Sequence, residues 1–259
     1  MSRAALSLAT VNRAPSERLF RVLARTVAPL MRAITRQDCL DFFGTYYAPN
    51  NATLWCVGDF EAPRALELIE RWYGDIPAGP PAPAPVSTEP PQRGERRAEV
   101  GFPAHASALA VGMKAVAGSS PDAAVLDVLQ YALSAGHGAR LVRALVYDRL
   151  LAAGLAIDYT WHADPGLFSL LVELNPGVRP ARALEVIEAE LARVAEKGLT
   201  AGELQRAKGQ LRAGVLREIA SNNGRAHTLG SNELILGDWR AALEIPRRYE
   251  QVTDADVRR

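Results

Sequence analysis

Four histidines and two cysteines are the side chains of this 259-residue chain best suited to metal or nucleophile chemistry. A hydrolytic metal needs clustered imidazoles together with carboxylates, one of them placed to take a proton from bound water. His105 is followed by Ala-Ser-Ala, His137 by Gly-Ala-Arg, His162 by Ala-Asp-Pro and His227 by Thr-Leu-Gly. None has a second histidine beside it or a glutamate three residues on, so no catalytic zinc is expected on this chain. Cys39 and Cys56 fall on a predicted helix and a predicted strand, far from any C-x-x-C, and are expected as two buried thiols. There is no G-x-S-x-G elbow, no P-loop and no G-x-G-x-x-G. The one glycine-rich break, "SAGHG" at 134–138, is expected to be a turn between helices.

The elements that would carry these residues can be placed by local signals. Residues 1–34 are rich in arginine with a single acid, Glu17, and are expected to form a poorly ordered leader. Their apolar stretch is too weak for a secretory signal, and the compartment, cytoplasmic or periplasmic, stays open. Thr35 with Asp38 caps a helix to about Tyr46, "ATLWCVG" at 52–58 reads as a strand, and a helix follows from Pro63 to about Tyr73. Seven prolines between 74 and 94 mark a stiff, extended linker, placed at 79–94.

Beyond it, "RRAEVGF" and "ASALAVGMKA" are strand-like, and Ser120-Pro121-Asp122 opens a helix to about Leu133. "ARLVRALVYDRLL" forms a second helix, and "LAIDYTW" and "LFSLLVELN" make a strand pair around an Asp-Pro-Gly turn. A long helix then ends at Gly198, and Thr200 with Glu203 forms a capping box for the next. Two more helices complete the pattern. Strands in adjacent pairs and helices in runs give an α+β fold, an antiparallel sheet flanked by helices.

The apolar-Thr-x-x-Asp-apolar pattern at Thr35 returns at Thr253, 218 residues further on, which suggests a repeat read out of phase. Residues 35–78 then read as the closing helix–strand–helix of one unit whose opening is missing, and 95–259 as most of a second. The 95–174 sheet would have a vacant place that strand 52–58 could fill, within one molecule or by exchange.

The segments "TRQDCLDFFGTYYAPNNATLWCVGDF", "YGDIPAGP", "GHGARLVRALVYDRLLAAGLA" and "GLTAGELQRAKGQL", in this order, resemble the pitrilysin/insulinase family of zinc peptidases. That family includes mitochondrial processing peptidase and its inactive core-protein relatives, and the resemblance covers roughly residues 33–259. It implies metalloprotease-like pseudo-repeat domains of the LuxS/processing-peptidase type, paired around a peptide-sized chamber. It also implies an inverted zinc motif, H-x-x-E-H, in the part of the N-terminal domain that this chain lacks. Zinc would therefore come from a homologous subunit bearing that motif, with a homodimer as the other partner expected, and the ligand handled would be a peptide or unfolded polypeptide.

The family further holds the substrate backbone with an Arg and a Tyr in a segment of the type "RL…LR…GLAY". Here the matching positions carry Val146 and Ala153, or Ile157 with a shift, so the pair is not reproduced. Arg140, Arg149 and Tyr159 are the residues left nearby to contact a peptide, with Arg140 at a position that looks structural. Asp158 and His162 would share a strand face as an exposed pair rather than an acid–base couple. A formal net charge of +1 argues against nucleic acid as a partner, and no apolar run reaches the length of a membrane span. What remains are two readings: a non-catalytic half that contributes chamber wall, or a purely structural scaffold.

Overall fold

Among the described residues, one layer of helices covers one face of a five-stranded sheet and leaves the other face open. The computed structural model describes residues 5–10, 32–83, 92–101 and 106–259. The strands are β1 (Ala5–Thr10), β2 (Arg96–Glu99), β3 (Ala108–Lys114), β4 (Ala152–Tyr159) and β5 (Leu167–Leu174). They lie in the order β2-β1-β3-β5-β4, with three antiparallel pairings and one parallel one, β1 with β2.

Period-two alternation decides which side faces inward. In β5, Phe168, Leu170, Val172 and Leu174 are buried, while Leu167, Leu171 and Glu173 are exposed. The register sets Leu170 between Val111 and Ile157, so a single apolar row runs across three strands beneath the helices. Helix α3 (Ala123–Ser134) lies against β4, and the long helix α4 (Pro180–Lys197) against β3. Helices α5 (Ala201–Glu218) and α7 (Ala241–Gln251) pack on α3 in turn, while α6 (Asn222–Leu236) touches both. Leu109, Leu133, Leu141, Leu145, Leu170 and Ile187 are almost wholly excluded from water, each contributing roughly 1.5–3 kcal/mol.

The local signals form as expected at the helix starts. Thr35 and Asp38, Thr200 and Glu203, and Thr253 and Asp256 all close reciprocal capping boxes, opening α1 (Arg36–Tyr46), α5 and the short α8 (Asp254–Arg258). Gly198 ends α4 at φ +73°, and a Cβ there would lie 1.9 Å from the Asp254 carboxylate. That carboxylate accepts a hydrogen bond from the Leu199 backbone N–H at 2.6 Å and so ties α8 to the end of α4.

Four expectations give way. Residues 5–10, read as part of a poorly ordered leader, form the strand between β2 and β3; the rest of that leader lies outside the described residues, as do 84–91 of the linker. Residues 52–57 carry no regular structure and join no ladder, so they do not fill a place in the 95–174 sheet. The β3 edge they would need is already paired with β1. The helix expected over "ARLVRALVYDRLL" is a single α turn, Arg140–Val142, that widens into a π-helix, Arg143–Asp148. Cys39 and Cys56, expected buried, are both exposed. Their surroundings explain it: neither α1 nor α2 (Ala62–Tyr73) contains a buried residue, and Phe43, Leu54, Leu66 and Trp72 are all more than 60% exposed.

The 32–83 segment is anchored at a small point. Trp55 sits on α6 at Gly230, where a Cβ would come within 2.8 Å of the indole Cδ1. Asn50 adds a local clamp, donating to the Gly79 carbonyl at 3.2 Å and accepting from its N–H at 2.8 Å. Gly230→Val should expel the indole. Measured as a difference from a Trp55→Phe background, the Trp55 emission is expected to shift to the red, with core stability changed by less than about 1 kcal/mol. An unshifted spectrum would show that Trp55 is not seated there.

Candidate functional site

The turn at 140–150 is built on two buried leucines one helical turn apart, Leu141 and Leu145. After Leu145 the helix widens, the Leu151 N–H closing on the Leu145 carbonyl at 2.8 Å. Tyr147, Asp148, Arg149 and Leu150 are thereby turned out to solvent, with Leu150 held at φ +51°, a conformation that side chains other than glycine rarely adopt. Such π-helical turns concentrate at functional sites. The Tyr147 hydroxyl meets His137 Nδ1 across the "SAGHG" turn.

Arg140, Arg149 and Tyr159 do not converge on one surface; each spends its polar atoms on a neighbour of its own. Arg140 donates through Nε to Glu203 Oε1 at 2.9 Å and through Nη2 to Oε2 at 2.6 Å, a two-point ion pair that is mostly buried. Glu203 is at the same time the capping glutamate of α5. Burial pushes its carboxyl upward, but hydrogen bonds from Arg140 and Thr200 outweigh that and hold it at about 2. Arg149 closes its own turn, Nη1 to the Ala144 carbonyl at 3.3 Å, and its side chain remains exposed. Tyr159 is buried on the covered face and donates to the Val116 carbonyl at 3.1 Å. His162 lies past the end of β4 beside Gly166, whereas Asp158 stands on the open face.

The buried polar centre of the domain is Asp127, a residue that sequence patterning passes over. It sits among the buried residues Ala124, Val128 and Ala132 of α3. Its Oδ2 accepts from the Trp161 indole N–H and the Tyr249 hydroxyl, each at 3.0 Å. The available signal was a lone carboxylate inside the apolar stripe of an amphipathic helix. Burial drives its pKa up to about 7 even though both hydrogen bonds favour the charged form. The same burial, and next the nearby Asp127 charge, raise Tyr159 to about 12 and Tyr249 still further.

The open sheet face carries short rows of small and apolar side chains. Ala110, Leu171 and Ala156 form one row across β3, β5 and β4, and Gly112, Ser169 and Asp158 form the next. Leu171 and Leu167 are more than half exposed. The outer edge of β4 is partly closed, because Gln130 of α3 donates to the Ile157 carbonyl at 2.8 Å. Among the described residues no group of three or more His, Cys, Asp or Glu could hold a metal ion, and no helix is long and apolar enough to cross a membrane.

Two titrations give this site a pH signature. Asp127 binds its proton more tightly folded than unfolded, so its contribution is complete below about pH 4 and is lost as pH rises through about 7. Unfolding followed by urea is expected to show stability falling by about 2–4 kcal/mol between pH 4 and pH 8 on this account. Glu203, held low, acts oppositely, losing its contribution as pH falls below its ordinary range. Asp127→Asn keeps an acceptor for both donors and should flatten the slope above pH 5; a slope equal to wild type would remove Asp127 as its source. Arg140→Met, which leaves Glu203 half-buried and unpaired, should cost about 2–4 kcal/mol by the same assay.

Comparison with known proteins places this geometry. The sequence profile of a family described as the peptidase M16 inactive domain matches residues 33–211. An uncharacterized zinc protease of Mycobacterium leprae is 27% identical over 227 residues, covering 87% of this chain and 51% of that protein. The crystal structure of a protease from Helicobacter pylori superposes with a TM-score of 0.82 at 24% identity, over 88% of this chain and 55% of that one. A peptidase M16 inactive domain from Pseudomonas fluorescens gives 0.73 at 22% identity, over 87% of this chain and 53% of that one. These two likenesses show the fold alone, and the chain spans about half the length of the curated relatives it matches. With more than half of its residues matched by that profile, the chain belongs to the M16 family of peptidases, in the part described as the inactive domain.

Proposed function

We propose that this chain acts as the non-catalytic half of an M16-type metallopeptidase. It forms a wall of the peptide chamber while a homologous half bearing H-x-x-E-H supplies the zinc. The observation that carries this reading is the uncovered apolar surface. Among the described residues the sheet is helix-covered on one side only, and the 32–83 segment presents Phe43, Leu66, Trp72 and Tyr73 to water. Surfaces of this size and character are covered in the working state of a protein. No histidine of the sequence stands in an H-x-x-E-H arrangement, so hydrolysis on this reading waits on the other half.

Peptide contacts fall on the open sheet face and on the outer rim of the 140–150 turn. Of the three candidate residues, Arg149 has an exposed guanidinium to offer a peptide carbonyl or carboxylate. Arg140 and Tyr159 act behind it, fixing the turn and β4 through Glu203 and Val116. The engagement of these two also favours a second reading, a scaffold without a peptide role.

Mixing experiments separate the two. The purified chain should hold well under one zinc per molecule and hydrolyse no peptide. With a homologous H-x-x-E-H half, such as one encoded beside it, hydrolysis should appear, and Arg149→Ala should raise KM several-fold with kcat little changed. Stoichiometric zinc or turnover by the chain alone would overturn the proposal. Hydrolysis by the pair that is indifferent to Arg149→Ala would leave only the scaffold role.

A further inference from the structure

Residues 52–57, Ala-Thr-Leu-Trp-Cys-Val, have the composition of a strand, with β-branched or aromatic side chains at every second position. Exposure alternates as it would along one: Leu54 and Cys56 face water, while Trp55 and Val57 are half-buried. Ala52 enters the run with extended backbone angles, φ −125° and ψ 141°. What the run lacks is a ladder. The Ala52 N–H closes on the Pro49 carbonyl, but from Thr53 to Val57 no main-chain N–H or carbonyl hydrogen-bonds to another described residue. Consecutive donors and acceptors left unspent are a template for another strand. On either side stand α1 and α2, neither with a buried residue, and Phe42, Phe43, Leu66 and Trp72 are more than half exposed.

The module therefore has two needs, a strand edge for its main chain and an apolar layer for its two helices. A bound peptide supplies the first alone, whereas a sheet supplies both. The run itself is apolar at exposed Leu54 as well as at half-buried Trp55 and Val57, the pattern of a strand covered on both faces. We propose that residues 53–57 add as a strand to a free sheet edge of the homologous zinc-bearing half, with α1 and α2 settling on that sheet. This rests on the pairing of halves proposed above and names the contact that joins them. The main chain provides the attachment, and the side chains of the module close over the joint.

Calorimetric titration of the full chain with the H-x-x-E-H half of the mixing experiment tests this. Proline removes the N–H that a ladder needs, and neighbouring residues of a strand aim theirs at opposite edges. Cys56→Pro and Val57→Pro thus test one edge each. One of the two should raise Kd roughly tenfold or more, while Cys56→Ala and Val57→Ala change it by less than about threefold. These N–H groups are unbonded in the free chain, so the urea midpoint of the proline variants should stay close to wild type. In the wild-type complex, amide exchange should slow at alternate residues within 53–57. Unchanged affinity in both proline variants, alanine variants that lose as much as the prolines, or fast exchange throughout 53–57 each overturns the proposal. A dimer of the chain alone, seen by sedimentation velocity and lost in a proline variant, would assign the strand to a second copy and overturn it. A casein-derived peptide whose binding to the chain alone shows the same proline sensitivity would assign it to substrate and overturn it too. Proline-sensitive binding without hydrolysis defeats the functional proposal and leaves this one standing; hydrolysis with proline-indifferent binding does the reverse. A wild-type chain that binds no such half overturns both.

Discussion

The architecture follows from one constraint: a five-stranded sheet with helices on one side only buries half of its side chains. The covered side is resolved largely internally. Leu109, Leu170 and Val172 belong to the buried core, and two of the polar clusters drawn in with them are paired, Asp127 with Trp161 and Tyr249, Arg140 with Glu203. Everything on the other side is left for something outside the described residues to resolve. The exposed Leu167 and Leu171 of the open face, with the apolar side chains of the 32–83 segment, are the surface left to be covered.

The same division explains why Arg140 and Tyr159, two of the residues named as peptide contacts, spend their polar atoms inside the molecule. A guanidinium held at two points by a carboxylate, itself closing a helix cap, is rigid and nearly saturated. It positions the turn between α3 and β4 rather than reaching from it. Tyr159 points into the core and fixes the strand end through Val116. What the 140–150 turn offers outward is the exposed group around Tyr147 and Arg149, displayed by the π-helical widening.

Features governed by local chemistry could be read from the sequence. The three capping boxes, the Gly198 stop and the alternation of β5 each depend on residues within a few positions of one another. The order of motifs gave the family. Long-range pairings were not legible. β1 is six residues of unremarkable composition whose partners lie about 90 to 108 residues away, and residues 52–57 look like a strand but find no ladder. The Asp127 centre joins donors 34 and 122 residues distant, and nothing near Asp127 in the chain announces them. The π-helix was missed because its sequence satisfies an ordinary amphipathic pattern, and only the closure onto Leu151 reveals the extra residue in the turn.

Amide hydrogen exchange on the chain, free and mixed with a homologous zinc-bearing half, bears most directly on the claim that an uncovered surface is completed by another half. Exchange in the free chain should be slow in α3, β5 and α4, and fast through residues 52–73. On mixing, protection should rise across 52–73 and at the margins of the open face, while the already slow core stays unchanged. No gain of protection in either region under conditions that saturate the zinc-bearing half would contradict the account.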